Sequence, residues 1–185
     1  MESLLKQPFD GASLQLLVKA LAFASAKHSQ QRRKDAEASP YINHPIALIS
    51  ILAVEAGIHD PDVLCAALLH DTIEDTETSA DELSGIFGAS IAALVMEVTD
   101  DKSLPNKERK QRQIEHAPHL SPKARLIKLA DKIANLRDVA ESPPVAWPLK
   151  RRREYFDWGK NVVDAIADAP PQLRALFDAA YARRP

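Results

Sequence analysis

The chain has 185 residues, with 24 lysines and arginines against 26 aspartates and glutamates, a formal net charge of −2. That length can bury a sizeable core and fits one domain, and the charge balance provides no overall basic excess to attract nucleic acid or an anionic membrane. Cys65 is the only cysteine, so no intramolecular disulfide can form, which fits a reducing compartment; with no signal-like start and no apolar run long enough to span a bilayer, the expected location is the cytoplasm.

Helical periodicity runs through an alanine- and leucine-rich sequence with five glycines, and the predicted class is all-α. A first helix is predicted over Ser13–Lys27, with Leu14, Leu17, Val18, Leu21 and Ala24 at core-facing spacing. The polar stretch from Gln30 to Asn43, with Arg32, Arg33, Lys34 and Pro40, predicts a loop across the surface. Pro45 then starts a helix carrying Ile46 to Val54, and Gly57 stops it. Asp60-Pro61 repeats the start signal and launches a helix through Cys65 to His70-Asp71, with its exit after Asp75. Ser79, followed three residues later by Glu82, predicts another capped start, interrupted by Gly85 or Gly88. After the apolar run Ile91 to Val98, charge takes over through Asp100, Asp101 and Lys107 to Arg112, predicting an exposed connection. Ser121-Pro122 opens the strongest helix, whose apolar face of Leu126, Ile127, Leu129, Ala130, Ile133, Ala134 and Leu136 is interrupted by Asp131. Ser142-Pro143-Pro144 reads as a linker, followed by helical patterns over Lys150 to Lys160 and Leu173 to Tyr181.

The densest chemistry lies in Leu68-Leu69-His70-Asp71-Thr72-Ile73-Glu74-Asp75. An imidazole beside a carboxylate suits a borderline-to-hard divalent ion, and a thiolate-based zinc site would need cysteines that the chain lacks. At helical spacing Glu74 and Asp75 fall one turn beyond His70 and Asp71, which would place acid/base groups beside a metal. Asn43-His44-Pro45 and Asp131 are two further positions that one ion would unite, since a carboxylate in an apolar helix needs a partner to offset its desolvation. Each alone has a bland reading: a helix-end hydrogen bond for His44, an ion pair with Arg125 or Lys128 for Asp131.

Taken in order, several segments resemble the HD-domain phosphohydrolases, and within them the small alarmone hydrolases of the metazoan SpoT homologue type. They are His28 to Asp35, Pro40 to Pro45, Ala66 to Thr76, Glu97 to Lys102, Lys128 to Lys132, Asn135 to Asp138, and Arg151 to Phe156 with Trp158. The resemblance covers nearly the whole chain. It implies an HD-type helical bundle as a single hydrolase domain over 1–185, with 145–185 as a C-terminal helical elaboration. It also implies a Mn2+-dependent enzyme that removes pyrophosphate from the 3′ position of guanosine tetra- or pentaphosphate, leaving GDP or GTP. His44, His70, Asp71 and Asp131 fall on the family's metal positions. Glu74 and Asp75 fall on its catalytic acidic pair, either of which could take the proton from the attacking water. Arg33 and Lys34 match its nucleotide-contacting pair, and Asn135, Arg151 and Tyr155 match further substrate positions, a role that a solvated charged face would mimic. The bifunctional relatives carry a synthetase after the hydrolase, so hydrolysis without synthesis is the expectation for a chain that stops soon after the match. Removal of the 2′-phosphate from NADPH is the nearest alternative, with Ala134 at the place where relatives can carry a bulkier aromatic residue; a catalytically silent alarmone sensor and a purely structural protein are the others.

Overall fold

The structure, a computed structural model, describes residues 10–185, and among them it is all helical, with one isolated backbone bridge between Arg32 and Pro40. None of the described helices is long and apolar enough to cross a membrane. Helix α1 spans Gly11–Lys27, and its N-terminal amides are met by Asp10, which accepts from the Ser13 amide at 2.7 Å. After a loop, α2 spans Asn43–Ile49 and continues as a π-helical stretch over Ser50–Glu55. Gly57, at φ +66°, turns the chain as no β-carbon-bearing residue would readily do.

Helix α3 (Pro61–Leu69) is the hub. Asp60 caps it by accepting from the amides of Asp62 and Val63, and Pro61 occupies the first turn, where a missing N–H costs nothing. Every residue from Val63 to Leu69 is buried. A helix that is apolar all round belongs at the centre of a bundle, and α3 packs against α1, α2, α6 and α8. A single turn, α4 (Thr72–Asp75), follows; then come α5 (Ala80–Phe87), capped by Ser79, and α6 (Ala89–Val98), entered through Gly88 at φ +90°. Next are α7 (Asn106–His116), α8 (Pro122–Glu141), α9 (Leu149–Ala165) and α10 (Pro171–Tyr181). All seven apolar residues predicted for the face of α8 are buried. Phe156, Val162, Leu173 and Phe177 from α9 and α10 join the same buried cluster, and α10 packs on α8.

Four expectations change. The charged segment after Asp101 is not an open connection but α7. It is held by Glu108–Arg112 at 3.1 Å, by Gln111 donating to Glu115, and by the Trp158 indole N–H of α9 donating to the Lys110 carbonyl at 3.0 Å. On α1, Leu14 and Val18 are more than half exposed, whereas Ala20 and Ala24 are fully buried with Leu17 and Leu21 partly so; the face that meets α3 is built on alanines, which allow close approach. Helix α2 begins at Asn43, two residues ahead of Pro45, whose missing N–H still falls among the first-turn amides that lack intrahelical acceptors. The α3 helix ends at Leu69, so His70 and Asp71 form a corner and Glu74–Asp75 belong to a separate turn.

Candidate active site

Three helices deliver the histidines and aspartates to one point. His44 enters from the first turn of α2, His70 and Asp71 from the corner after α3, and Asp131 from the middle of α8. His44 Nε2 lies 3.3 Å from Asp131 Oδ1 and 3.9 Å from Asp71 Oδ2, while His70 Nε2 lies 2.9 Å from Asp71 Oδ2 and 3.9 Å from Asp131 Oδ1. Ligand atoms of His44, His70 and Asp131 all fall within 4.8 Å of one another. The bland reading of Asp131 as an ion-pair partner of Arg125 or Lys128 is replaced. Arg125 meets Asp168 and Lys128 donates to the Val98 carbonyl, whereas Asp131 faces the histidines, Lys132 at 2.9 Å and the Asn135 amide at 2.5 Å.

The donor set fits a divalent metal ion. The His70 Nδ1–H donates to the Ala67 carbonyl at 2.8 Å, which orients the buried Nε2 toward the carboxylates, 2.9 Å from Asp71 Oδ2. A ring tied through one nitrogen to a carbonyl, with the other aimed at carboxylates, is how proteins present a histidine ligand. Two imidazoles and two carboxylates suit Mn2+ and its neighbours in the first transition row. Cys65 offers no alternative, being buried in α3 with its thiol pushed up to about 12 by burial and the charge of Asp62.

Electrostatics inside the cluster are strongly coupled. Burial would lower His70, but the charge and hydrogen bond of Asp71 and the charge of Asp131 lift it to about 9. Burial would raise Asp71 and Asp131, yet both are held far below the usual carboxylate range, Asp71 by His70 and His44 and Asp131 by Lys132 and the same histidines.

The acidic pair divides. Glu74 Oε2 accepts from the Asp100 amide at 3.2 Å and Oε1 lies 3.6 Å from an Arg109 guanidinium nitrogen; burial, with the charges of Asp71 and Asp100, pushes its pKa up to about 7. Asp75 has both oxygens engaged, Oδ2 by the Gln31 side-chain amide at 2.9 Å and Oδ1 by the Lys102 ammonium.

A cleft of about 590 Å3 opens over this centre and includes Arg33, Lys34, Tyr41, His44, Asp75, Asn135 and Tyr155 in its lining. Arg33, Lys34, Asn135 and Tyr155, four of the five residues proposed from the sequence for substrate, therefore line one cleft. Arg33 lies over the Tyr41 ring and pairs with Asp138. Asn135 reaches the cleft but spends its amide on Asp131. Arg151 does not line this cleft: its guanidinium stacks on Trp147 at 4.5 Å in a neighbouring one of about 550 Å3, and Trp147 and Tyr155 border both. Ala134 is 2% exposed and lines neither. Sequence reasoning missed Tyr41, which donates to Asp71 Oδ2, and Gln31, Lys102, Arg109 and Trp147. Gln31, Tyr41 and Lys102 lie within segments that carry the family resemblance, but nothing in their local sequence assigns them a role at the site.

Two histidines and two aspartates meeting from three elements of a helical bundle, with an acidic pair one turn on, form a cluster in which His44, His70 and Asp131 could hold a metal ion. The HD domain family model matches residues 20–156, and the chain belongs to that family, within the group of the metazoan SpoT homologues. It is 51% identical over 174 residues to the guanosine-3′,5′-bis(diphosphate) 3′-pyrophosphohydrolase MESH1 of Homo sapiens, covering 94% of this chain and 97% of that protein. It is 54% identical over 163 residues to MESH1 of Xenopus tropicalis, covering 88% and 91%. A solved structure described as a metazoan ortholog of SpoT that hydrolyses ppGpp superposes with a TM-score of 0.90 at 46% identity, covering 96% of this chain and 98% of that one.

Proposed function

We propose that this protein removes pyrophosphate from the 3′ position of guanosine tetra- or pentaphosphate, with a divalent ion, Mn2+, held by His44, His70, Asp71 and Asp131. The observation that carries this reading is the convergence of His44, His70 and Asp131, with Asp71 2.9 Å from His70, next to a cleft whose lining includes His44, Asp75, Arg33 and Lys34. The relatives that match nearly end to end are named for that reaction.

A bound divalent ion would supply Lewis acidity at the phosphoryl group and favour loss of a proton from water. The protein's own groups then divide the remaining work. Glu74, poised near neutrality, accepts the proton from the attacking water. Asp75, with its oxygens fixed by Gln31 and Lys102, serves as an oriented acceptor for that water. Arg33 and Lys34 meet phosphate or base, the guanidinium plane through stacking and the ammonium as a point charge. Tyr155 and Asn135 border the nucleoside end. Arg151 acts from the neighbouring cleft across Trp147 and Tyr155, within reach of a substrate that extends past them.

The test is phosphorus NMR of metal-free protein given guanosine tetraphosphate with and without Mn2+, the ion being chelated before the spectrum is taken. Manganese-dependent GDP and pyrophosphate are expected. Folded, metal-loaded protein that yields neither would overturn the reading.

A further inference from the structure

We propose that His28 and Gln31 are positioning residues that aim Asp75, and that His28 does so by fixing which way the Gln31 side-chain amide points. This rests on the proposed hydrolysis. His28 ends α1 and is 2% exposed. Its Nδ1 lies 2.6 Å from Gln31 Oε1, and Gln31 Nε2 lies 2.9 Å from Asp75 Oδ2.

The direction of this relay follows from donor inventory. An ionised Asp75 only accepts, so the Gln31 NH2 must face it and Oε1 must face His28; Nδ1 of His28 therefore carries the hydrogen. Turned over, the amide would set its oxygen against the Asp75 carboxylate, a repulsive contact, and would also lose the Nδ1–H to Oε1 bond, so His28 and Asp75 hold the same orientation from opposite ends. The backbone holds the relay in place: the Gln31 amide donates to the His28 carbonyl at 2.9 Å and the Tyr41 amide to the Gln31 carbonyl at 3.1 Å. His28 also packs its ring on Tyr41, with centroids 4.8 Å apart, and Tyr41 donates to Asp71. One buried residue at the end of α1 thus supports Asp75 through Gln31 and Asp71 through Tyr41. Lys102, the other partner of Asp75, is about half exposed (47%) and comes from the 99–105 connection, so the rigid constraint on Asp75 is Gln31. Small angular errors in a group that orients the reacting water are costly.

The experiment compares Gln31→Met, His28→Leu and His28→Asn in the full chain. Gln31→Met keeps volume and removes the donor; it is expected to lower kcat at least about tenfold, with KM and manganese content close to wild type. His28→Leu should lose kcat similarly, and His28→Asn, whose amide N–H can replace Nδ1–H, should recover most of it. Unchanged kcat in Gln31→Met, or no difference between His28→Leu and His28→Asn when both are folded by circular dichroism, would overturn the proposal, as would loss of manganese in step with kcat. A substrate-free readout separates this inference from the proposed reaction. In 15N-1H spectra the Gln31 side-chain NH2 of wild-type protein should shift on Asp75→Asn and on His28→Leu but not on His28→Asn; an insensitive amide overturns the relay whatever substrate the enzyme takes.

Discussion

Metal uptake by the metal-free protein should expel a proton, and the size of the effect follows from His70. Burial pulls its pKa down, but the charge and hydrogen bond of Asp71, with the charge of Asp131, lift it from 6.5 to about 9. At pH 7 the ring is then largely cationic. A histidine ligates through a neutral nitrogen, and Nδ1–H is committed to the Ala67 carbonyl, so the proton must leave Nε2. Between pH 7 and 9 manganese affinity should rise about tenfold per pH unit, about 1.4 kcal/mol, and flatten above 9. The same shift sets a stability trend without metal: the folded pKa exceeds the unfolded one, so the contribution of His70 is complete below about 6.5 and is lost as pH rises through about 9. Asp71, held below its usual range, contributes in the opposite sense, fully at neutral pH and less as acid protonates it. The assay is calorimetric titration of Mn2+ into metal-free protein under anaerobic conditions at pH 6.5, 7.5 and 8.5, in two buffers of different ionisation enthalpy. About one proton released per ion at pH 7.5, and a logarithmic affinity slope near one, are expected. Affinity independent of pH with no proton released would refute the reasoning.

Glu74→Ala should cut turnover by at least about 100-fold while manganese content, read by atomic emission after desalting, stays near wild type; unchanged turnover removes Glu74 from the chemistry. Asp131→Ala should instead weaken manganese by at least about tenfold, because it deletes a ligand and leaves Lys132 and Asn135 without their partner. Phe177 is fully buried in the common core, so Phe177→Ala should cost about 3–5 kcal/mol in one cooperative thermal transition. Two separated transitions would show that the segment 145–185 is an independent unit rather than part of a single domain. Ser79→Ala removes the acceptor for the Glu82 amide at 3.1 Å and should cost about 1 kcal/mol by denaturant unfolding, without changing turnover.

Local signals were readable because their physics is local. Asp60, Ser79 and Ser121 accept from amides two or three residues ahead, so side chain and partner lie in one short word of sequence. The apolar face of α8 repeats at helical spacing, and its seven residues are buried as the pattern implied. Asp131 stood out because a lone carboxylate within that face demands compensation. The resemblance assembled His44, His70, Asp71 and Asp131 from separate words, but their spacing along the chain could not show how α2, α3 and α8 cross to bring His44 Nε2 within 3.3 Å of Asp131. Helix α7 was illegible for the same reason: its own residues are charged, and the indole that holds Lys110 lies 48 positions away. Which of two adjacent carboxylates is the proton acceptor was likewise closed to sequence. Glu74 and Asp75 are chemically alike and differ only in what the fold brings to them: Asp100 and Arg109 to one, Gln31 and Lys102 to the other. Chain composition and short-range pattern determined that this protein is a helical bundle carrying histidines and carboxylates of the kinds that can ligate a metal. Long-range packing alone decided their distances, their charge states and the supports around them, because desolvation and Coulomb energy depend on neighbours in space, not in sequence.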